Sequence, residues 1–198
     1  MKNNNLLPKD GEAIFFPDLF TPAESDHYLH SLQHDILWKQ EPIIIYGKEI
    51  MQPRLTAWYG DEGKAYLYSG ITMQPKPWTK ALLEIKERIE TIAMVHFNSA
   101  LLNQYRDGKD SMGWHRDNEK ELGINPVIGS VSFGASRKFM LRHYHDRSLK
   151  ASVELSHGSF LLMRGKTQHC WMHSIPKTTK PLDMRINITF RVIVDQGK

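Results

Sequence analysis

The chain has 198 residues, of which 40% are hydrophobic and 24% charged, and its formal net charge at pH 7 is +4. This length predicts one domain with a sizeable core. No apolar run approaches the roughly 18 residues that a membrane-spanning helix needs, and the first residues are too polar for a signal peptide. The single cysteine, Cys170, excludes an intrachain disulfide and suits a reducing compartment. The mild positive charge is compatible with a nucleic-acid partner without specifying one.

The first clear element is a helix that begins near residue 22. Thr21, Pro22 and Glu24 form a capping box with proline at the first helical position. A second amphipathic helix is predicted from about Trp78 to Ala93, because apolar residues recur on one face. Its apolar face consists of Leu82, Ile85, Ile89 and Ile92.

The remaining pattern is typical of short strands. A stretch rich in Ile, Tyr and Gly covers residues 42–72, and from Phe97 onward short apolar runs alternate with Gly, Pro, Asn and Asp clusters. We therefore predict a mainly β fold of the α+β kind. It is an antiparallel jelly roll with two N-terminal helices packed on one side.

A His-x-Asp pair gives the first chemical signal. His115 and Asp117 project to the same face of an extended strand, because residues two apart share a face. A histidine from a distant strand would complete the two-histidine, one-carboxylate set that holds Fe(II) and leaves positions open. His169 and His173 are both candidates: they are four residues apart and would share a strand face with Trp171, so periodicity does not separate them. In the alternative, His169 is a histidine at the pocket edge or on the surface. His143 and His145, in the basic segment 142–150, read as a solvated loop, with phosphate contact and then metal binding as the alternatives.

The second signal is the segment RINITFR at residues 185–191. Arg185, Asn187, Thr189 and Arg191 share one face, and the other face is apolar. Two inward arginines are unusual in a core, but they suit a dicarboxylate, because guanidinium groups bind carboxylates through two parallel hydrogen bonds.

Together these motifs resemble the AlkB-type Fe(II)/2-oxoglutarate dioxygenases, in the branch that repairs nucleic acids and closest to its members that act on double-stranded DNA. The resemblance covers residues 40–194. The segments that carry it are NSALLNQY at 98–105, GWHRDNEKE at 113–121, SVSFGA at 130–135, HGSFLLM at 157–163, WMHSIPK at 171–177 and RINITFR at 185–191. Upstream, YLYSGITMQPKPW at 66–78 resembles the substrate lid of that branch. The resemblance implies a double-stranded β-helix and one dioxygenase domain over residues 1–198. Residues from about 40 to 96 would form the lid and its supporting helix, and about 97 to 194 the catalytic jelly roll.

The resemblance also implies the ligands of the site. His173, before Ser-Ile-Pro-Lys, matches the family's distal ligand, so the iron ligands would be His115, Asp117 and His173. The residues that contact 2-oxoglutarate would be Asn103, Tyr105, Arg185, Asn187 and Arg191. Arg185 would bind the remote carboxylate and Arg191 the one near the metal. In the alternative, Tyr105 is a core tyrosine and Arg191 pairs with a surface acid.

Residues at the substrate side follow from the same resemblance. The implied substrate contacts are Tyr46, Arg54, Tyr66, Tyr68, Ser69 and Glu119. Tyr68 and His115 would sandwich a flipped base, and Glu119 would accept a hydrogen bond from its exocyclic amine. Asn118 stands where close members of the family carry an acid, which leaves the lesion preference open. The two lid tyrosines could instead be a cross-strand packing pair.

A possible wedge lies in the segment IIIYGK at residues 43–48. The matching hairpin of the double-strand branch inserts a side chain into the duplex, so Tyr46 would be the wedge, with Lys48 and Arg54 near phosphates. In the alternative reading, this segment is a strand that ends in a glycine turn.

The resemblance therefore implies an oxidative demethylase of N-alkylated bases in DNA, such as 1-methyladenine and 3-methylcytosine. It would use Fe(II), O₂ and 2-oxoglutarate and release succinate, CO₂ and formaldehyde. We expect a monomer that acts in the cytoplasm, or in the nucleus of a eukaryote, and does not bind membranes. RNA demethylation, hydroxylation of proteins or small molecules, and non-catalytic nucleic-acid binding are the alternatives.

Overall fold

The computed structural model describes residues 5–45, 48–63, 66–68 and 71–194. Two antiparallel sheets dominate these ranges. The six strands of the large sheet are β1 (Glu12–Phe16), β4 (Leu55–Gly60), β7 (Ser99–Tyr105), β9 (Ile128–Gly134), β12 (Ser159–Arg164) and β14 (Arg185–Arg191), in the order β1-β12-β9-β14-β7-β4. The four strands of the small sheet are β8 (Met112–His115), β10 (Arg137–His143), β11 (Lys150–Leu155) and β13 (Trp171–Ile175), in the order β11-β10-β13-β8. This arrangement confirms the predicted jelly roll.

Two hairpins lie outside these sheets. Their strands are β2 (Pro42–Ile45) with β3 (Lys48–Met51), and β5 (Tyr66–Tyr68) with β6 (Ile71–Met73). Both occur in the segment that the sequence assigns to the lid.

The two predicted helices are present. Helix α1 (Pro22–Asp35) begins with the expected capping box: the Thr21 hydroxyl accepts from the amide of Glu24 at 3.3 Å, and the Glu24 carboxylate accepts from the amide of Thr21 at 2.8 Å. Helix α2 (Lys80–Ala93) begins two residues later than predicted, because Thr79 caps it. A short helix, α3 (Thr167–Cys170), precedes β13. No helix in the described part of the chain is long and apolar enough to cross a membrane.

Strand alternation separates two cores. On β14, Ile186, Ile188 and Phe190 join the core between the large sheet and the helices, whereas Arg185 and Arg191 lie on the opposite side. The second core lies between the sheets and contains Leu101, Tyr105, Leu161, Phe139 and Trp171. The large sheet therefore has an apolar side toward the helices and a partly polar side toward the small sheet, where the site forms.

The structure differs in two ways from the division of the chain that the sequence suggests. The first element is β1 rather than the helix, and β4 pairs with β7 in the large sheet. Residues before 97 thus contribute two strands to the sandwich, although the sequence assigns 40–96 only to the lid and its helix. Five-residue β1 lacks a clean alternation of buried residues, and its edge position depends on a pairing with β12 that lies far away in sequence.

The predicted solvated loop at 142–150 is also partly wrong. His143 ends β10 and is buried, with its ring 5.2 Å from that of Trp171. Its Nδ1 accepts a hydrogen bond from the amide of Asp146 at 2.9 Å, and its Nε2 lies 3.4 Å from the Asp10 carboxylate. The buried His143 side chain therefore packs beneath the turn between β10 and β11, and the exposed part of the segment begins at Tyr144.

Candidate active site

Three side chains converge between the sheets at the end of β8. His115 on β8 and His173 on β13 are register partners, and Asp117 follows His115 by two residues. One potential ligand atom from each lies within 4.8 Å of those from the other two. The sheet pairing therefore brings the distal histidine to the His-x-Asp pair, and the donor set is the one that suits Fe(II).

The surroundings of both histidines prepare them as metal ligands. The carbonyl of Gly113 lies 2.9 Å from His115 Nδ1, so Nδ1 donates its proton and Nε2 keeps a lone pair for a metal. His173 stacks on Phe139, with ring centroids 5.3 Å apart. Burial, followed by the charge of His115, lowers the pKa of His173 to about 3. The His173 ring is therefore neutral at physiological pH, as metal binding requires.

Asp117 is held from two directions. Its Oδ1 accepts a hydrogen bond from Arg191 Nη2 at 2.9 Å, and both side chains are almost fully buried. Burial alone would raise the pKa of Asp117, but the charges of Arg191, His173 and His115 outweigh it and lower the pKa to about 2. The side-chain oxygen of Gln168 accepts from the Asp117 amide at 3.0 Å. Asp117 is thus an ionised ligand whose backbone and side chain are both fixed.

Arg185 is a buried cation with unused hydrogen-bonding capacity. Its Nη2 donates to Ser132 Oγ at 2.9 Å, while Nε and Nη1 are buried without a hydrogen-bond partner among the described residues. Burial lowers the pKa of Arg185 to about 10, an effect that nearby Tyr105 partly opposes. Buried donors rarely stay unpaired, so this guanidinium fits an acceptor such as the remote carboxylate of 2-oxoglutarate.

Asn187 is bonded to the neighbouring strand β9. Its amide nitrogen donates to Ser130 Oγ and to the carbonyl of Val131, both at 2.8 Å. Because an amide nitrogen carries two hydrogens and 2-oxoglutarate only accepts, a direct contact would have to replace one of these bonds. Asn187 therefore connects β9 to β14 while it lines the cavity, and its predicted contact with 2-oxoglutarate stays a prediction.

Arg54 is the clearest correction. It is buried, donates from Nε to Asn103 Oδ1 at 2.7 Å, and also contacts Gln52 and the carbonyl of Ser111 at 3.3 Å. A guanidinium held this way does not reach a surface phosphate, so its predicted role is wrong. The bond to Asn103 leaves the amide nitrogen of Asn103 as its remaining donor toward the cavity.

A cavity between the two sheets opens to solvent beside the three converging side chains. Its lining includes seven of the predicted metal and cosubstrate residues: Asn103, Tyr105, His115, Asp117, His173, Asn187 and Arg191. Arg185 is not part of this lining; its guanidinium lies 5.1 Å from the ring centroid of Tyr105.

Comparison with known proteins agrees with this geometry. A family model described as "2OG-Fe(II) oxygenase superfamily" matches residues 12–191. The chain belongs to the 2OG-Fe(II) oxygenase superfamily.

Within that superfamily, the chain is similar in sequence to AlkB homologues. The chain is 38% identical over 190 residues to "DNA oxidative demethylase ALKBH2" of Bos taurus, covering 91% of this chain and 68% of the relative. It is 42% identical over 193 residues to "Alpha-ketoglutarate-dependent dioxygenase alkB homolog 3" of Mus musculus, covering 91% and 66%. Human "DNA oxidative demethylase ALKBH2" is 39% identical, with 93% and 75% covered. The chain thus spans about two thirds to three quarters of these curated relatives.

A solved structure supports the fold alone. "The structure of OsALKBH1" superposes with a TM-score of 0.64 at 18% identity, covering 90% of this chain and 97% of that one. The oxygenase jelly roll is therefore shared even where the sequences differ widely.

At the substrate end of this oxygenase site, the structure describes only some of the predicted contact residues. Glu119 Oε2 is buried without a hydrogen-bond partner among the described residues. This carboxylate oxygen can therefore accept a hydrogen bond from an amine. Tyr66 and Tyr68 lie on β5. Tyr46 and Ser69 lie outside the described residues, so their predicted contacts stay predictions. Asn118 is exposed.

His169 is separated from the metal site by secondary structure. It lies on α3, is exposed, and its Nε2 accepts from the amide of Asn125 at 3.3 Å. The expectation that it shares a strand with His173 is wrong, because the strand begins only at Trp171. Its assignment as a surface histidine agrees with this exposure.

Several residues that shape the oxygenase site were missed. Ser130 and Ser132 lie two apart on β9 within SVSFGA and bond to Asn187 and Arg185; their spacing was a usable signal. Gln168 gave no local signal, because its contact with Asp117 joins segments that are 51 residues apart. Gly134 has a φ of +90°, and a Cβ there would collide with the carbonyl of Met184, so glycine permits β9 to approach β14 beside Arg185.

Proposed function

We propose that this protein is an oxidative demethylase that repairs N-alkylated bases in DNA, such as 1-methyladenine and 3-methylcytosine. The observation that carries the proposal is the buried Arg185 guanidinium, whose Nε and Nη1 have no hydrogen-bond partner among the described residues, inside the same sandwich as the His115, Asp117 and His173 cluster. A dicarboxylate and an iron are the ligands that this pairing suits. The choice of alkylated DNA rests on the names of the relatives that share about 40% of the sequence.

When bound, iron(II) with 2-oxoglutarate and oxygen supplies the oxidation that removes the methyl group, releasing succinate, CO₂ and formaldehyde. The chain's own residues bind and orient the reactants. His115, Asp117 and His173 would hold the metal. Arg191, already fixed by Asp117 at 2.9 Å, provides positive charge for the metal-proximal carboxylate.

The cosubstrate is oriented by groups at both ends of the cavity. Arg185 and Tyr105 bind the remote carboxylate, and the amide nitrogen of Asn103 donates to the same molecule because Arg54 occupies its oxygen. Ser130 and Ser132, which accept hydrogen bonds from Asn187 and Arg185, lie between these two ends. The apolar neighbours Leu101, Phe139 and Met163 limit the water that reaches the reacting atoms.

The substrate is recognised beside the metal. Glu119 accepts a hydrogen bond from the exocyclic amine of the damaged base, and its negative charge favours a base made cationic by N1 or N3 methylation. Tyr68 and His115 stack on the base after it leaves the helix. Tyr46, Tyr66 and Ser69 complete the contacts. We further propose that the protein acts as a monomer in the compartment that contains the DNA, cytoplasmic or nuclear.

The direct test is base reversion by purified protein with Fe(II), 2-oxoglutarate and methylated single-stranded or double-stranded DNA, measured by mass spectrometry. A matched RNA oligonucleotide is the comparison arm. We expect reversion that requires 2-oxoglutarate and is retained by His169→Ala. Reversion confined to RNA would replace DNA as the substrate. Succinate formation without reversion of any nucleic acid would favour a protein or small-molecule hydroxylase.

A further inference from the structure

The two sheets differ in what covers their outer sides. Helices α1 and α2 pack on the large sheet, whereas the outer side of the small sheet carries exposed or half-exposed residues. His115 and His173 point inward, so alternation turns Trp114 and Met172 outward. From β10, Lys138 and Arg142 point to the same outer side. This side begins one residue from an iron ligand and has no part in the chemistry described so far.

Two arginine–aromatic stacks lie here. The Arg142 guanidinium is 4.4 Å from the ring centroid of Trp114, and it crosses β13, where its Nη2 lies 3.9 Å from Met172 Sδ. The Arg116 guanidinium is 4.1 Å from the ring centroid of Tyr144. Arg116 is also tied to the carbonyl of His169 at 2.9 Å. We call Trp114, Arg116, Arg142 and Tyr144 the arginine–aromatic face.

The stacks remain open to solvent. Trp114 is 36% exposed and Tyr144 45% exposed, which is high for such large rings. Each guanidinium lies over its ring at 4.1 to 4.4 Å from the centroid, so the pair is positioned before any ligand binds. Such a surface can stack a nucleobase, because bases pack on aromatic rings and on arginine planes alike.

Charge favours an anionic partner. Lys138, Arg142 and Lys150 line a groove beside Trp114, and no acidic residue contributes to that lining. Within the described part of the chain, none of the three forms an ion pair with a carboxylate. The nearest acid in register is Glu154, opposite Lys138 on β11. Three cations that form no ion pair among the described residues, beside a stacking surface, match a phosphate backbone with unpaired bases.

We infer that the arginine–aromatic face binds the single-stranded stretch of the DNA that flanks the damaged base. This inference rests on the proposed function. A base next to the lesion stacks on the Arg142–Trp114 pair, a second stacks on Arg116–Tyr144, and Lys138 and Lys150 contact phosphates. Because β8 is the edge strand of the small sheet, an oligonucleotide on this outer face can pass around that edge to the metal site on the inner side.

The test is binding of fluorescent single-stranded oligonucleotides of increasing length to the iron-loaded protein without oxygen, followed by anisotropy. Trp114→Ala should weaken binding of a long oligonucleotide by at least about fivefold, because stacking on one aromatic side chain contributes roughly 1–3 kcal/mol per base. Trp114→Phe should restore most of the affinity, and the loss should shrink for a trinucleotide that reaches only the cavity. Lys80→Ala, whose side chain on α2 is 92% exposed, is the control and should bind like the parent.

The salt dependence of binding distinguishes the contribution of the two lysines from that of Trp114. Changing Lys138 and Lys150 together to Gln should reduce the slope of log affinity against log salt by about 1.4, the value for two phosphate contacts on a single strand. Trp114→Ala should lower the affinity and keep the slope.

Two results would overturn the inference. One is unchanged binding in both Trp114→Ala and the double lysine variant, which is expected if the face docks a protein. The other is an equal loss of affinity for long and short oligonucleotides. Because binding is measured without turnover, failure of the parent protein to demethylate would refute the proposed function separately.

Discussion

The iron and cosubstrate end of the cavity is built from long paired strands, whereas the expected substrate end is built from two short hairpins. At the first end, β14 pairs with both β7 and β9 over six or seven residues, which fixes Arg185 and Arg191 relative to Asn103 and Ser132. At the second end, β2 pairs with β3 and β5 pairs with β6, in two separate two-stranded sheets. Strand pairing therefore fixes the residues of the first end through the large sheet, whereas the described hairpin strands of the second end lie outside that sheet. Changes at the two ends should have different consequences, and the predictions below test this.

The largest effect is expected from the metal ligands. His115→Ala, Asp117→Ala or His173→Ala should each abolish base reversion on every substrate, because each removes one of three protein ligands. His169→Ala is the matched control, since the side chain of this exposed histidine bonds only to the amide of Asn125 among described groups. Base reversion and bound iron should be measured together. An inactive His169→Ala beside an active His173→Ala would reverse the ligand assignment.

Gln168→Leu should weaken iron binding by about 10- to 100-fold, the usual cost of losing a group that orients a metal ligand. The substitution removes the acceptor for the buried Asp117 amide. The iron concentration that gives half-maximal activity is the measurement, compared with the unfolding temperature of the metal-free variant. Equal iron requirements in variant and parent would show that Gln168 does not position Asp117.

Arg185→Leu should raise the apparent 2-oxoglutarate requirement by at least about tenfold. Losing one partner of a buried charge pair costs on the order of 2–5 kcal/mol. Arg164→Leu, which breaks the pair with Glu12 at 2.8 Å, is the control and should leave the requirement unchanged. An unaltered requirement in Arg185→Leu would remove this arginine from the cosubstrate site.

At the hairpin end, Tyr46→Ala should strongly reduce repair of methylated double-stranded DNA and leave repair of a single strand within a few-fold of the parent. Extruding a base from a duplex costs a few kcal/mol, and a single strand needs little opening. Parallel rates on both substrates decide the outcome. Equal losses would make Tyr46 a packing residue, and no loss would exclude the hairpin tip from duplex opening.

The smallest effect concerns stability away from the cavity. Burial alone would raise the pKa of Asp110, but hydrogen bonds from Arg106 at 2.8 and 2.9 Å outweigh it and hold the pKa below 3.8. A lowered folded-state pKa stabilises the fold above the unfolded pKa, and this stabilisation is lost as the pH falls through the folded value. Asp110→Asn should therefore cost about 1–3 kcal/mol at neutral pH.

Chemical denaturation at several pH values checks the Asp110 prediction. The difference between parent and variant should shrink as the pH drops below 3.8, and Asp18→Asn, at an exposed turn, should show no difference. A gap that stays constant with pH would mean that the ionised form of Asp110 is not what stabilises the fold.

The sequence predicts the strand-built end well, because a period of two determines which residues share a face. That rule alone grouped His115 with Asp117, and Arg185 with Arg191. It could not show that Arg54 turns inward to Asn103, since that contact joins residues 49 positions apart. Likewise, the burial of His143 depends on Trp171 and Asp10, which come from distant segments. Long-range contacts of this kind decide burial, and no local pattern contains them.

The central claim is that this site couples oxidation of 2-oxoglutarate to demethylation of a DNA base. The most direct measurement is the product ratio for purified protein acting on a single-stranded oligonucleotide that contains one 1-methyladenine. We predict equal amounts of succinate, formaldehyde and restored adenine, with none of the three formed by Asp117→Ala. Succinate that accumulates at the same rate with and without the methylated oligonucleotide, with no adenine restored, would contradict the account.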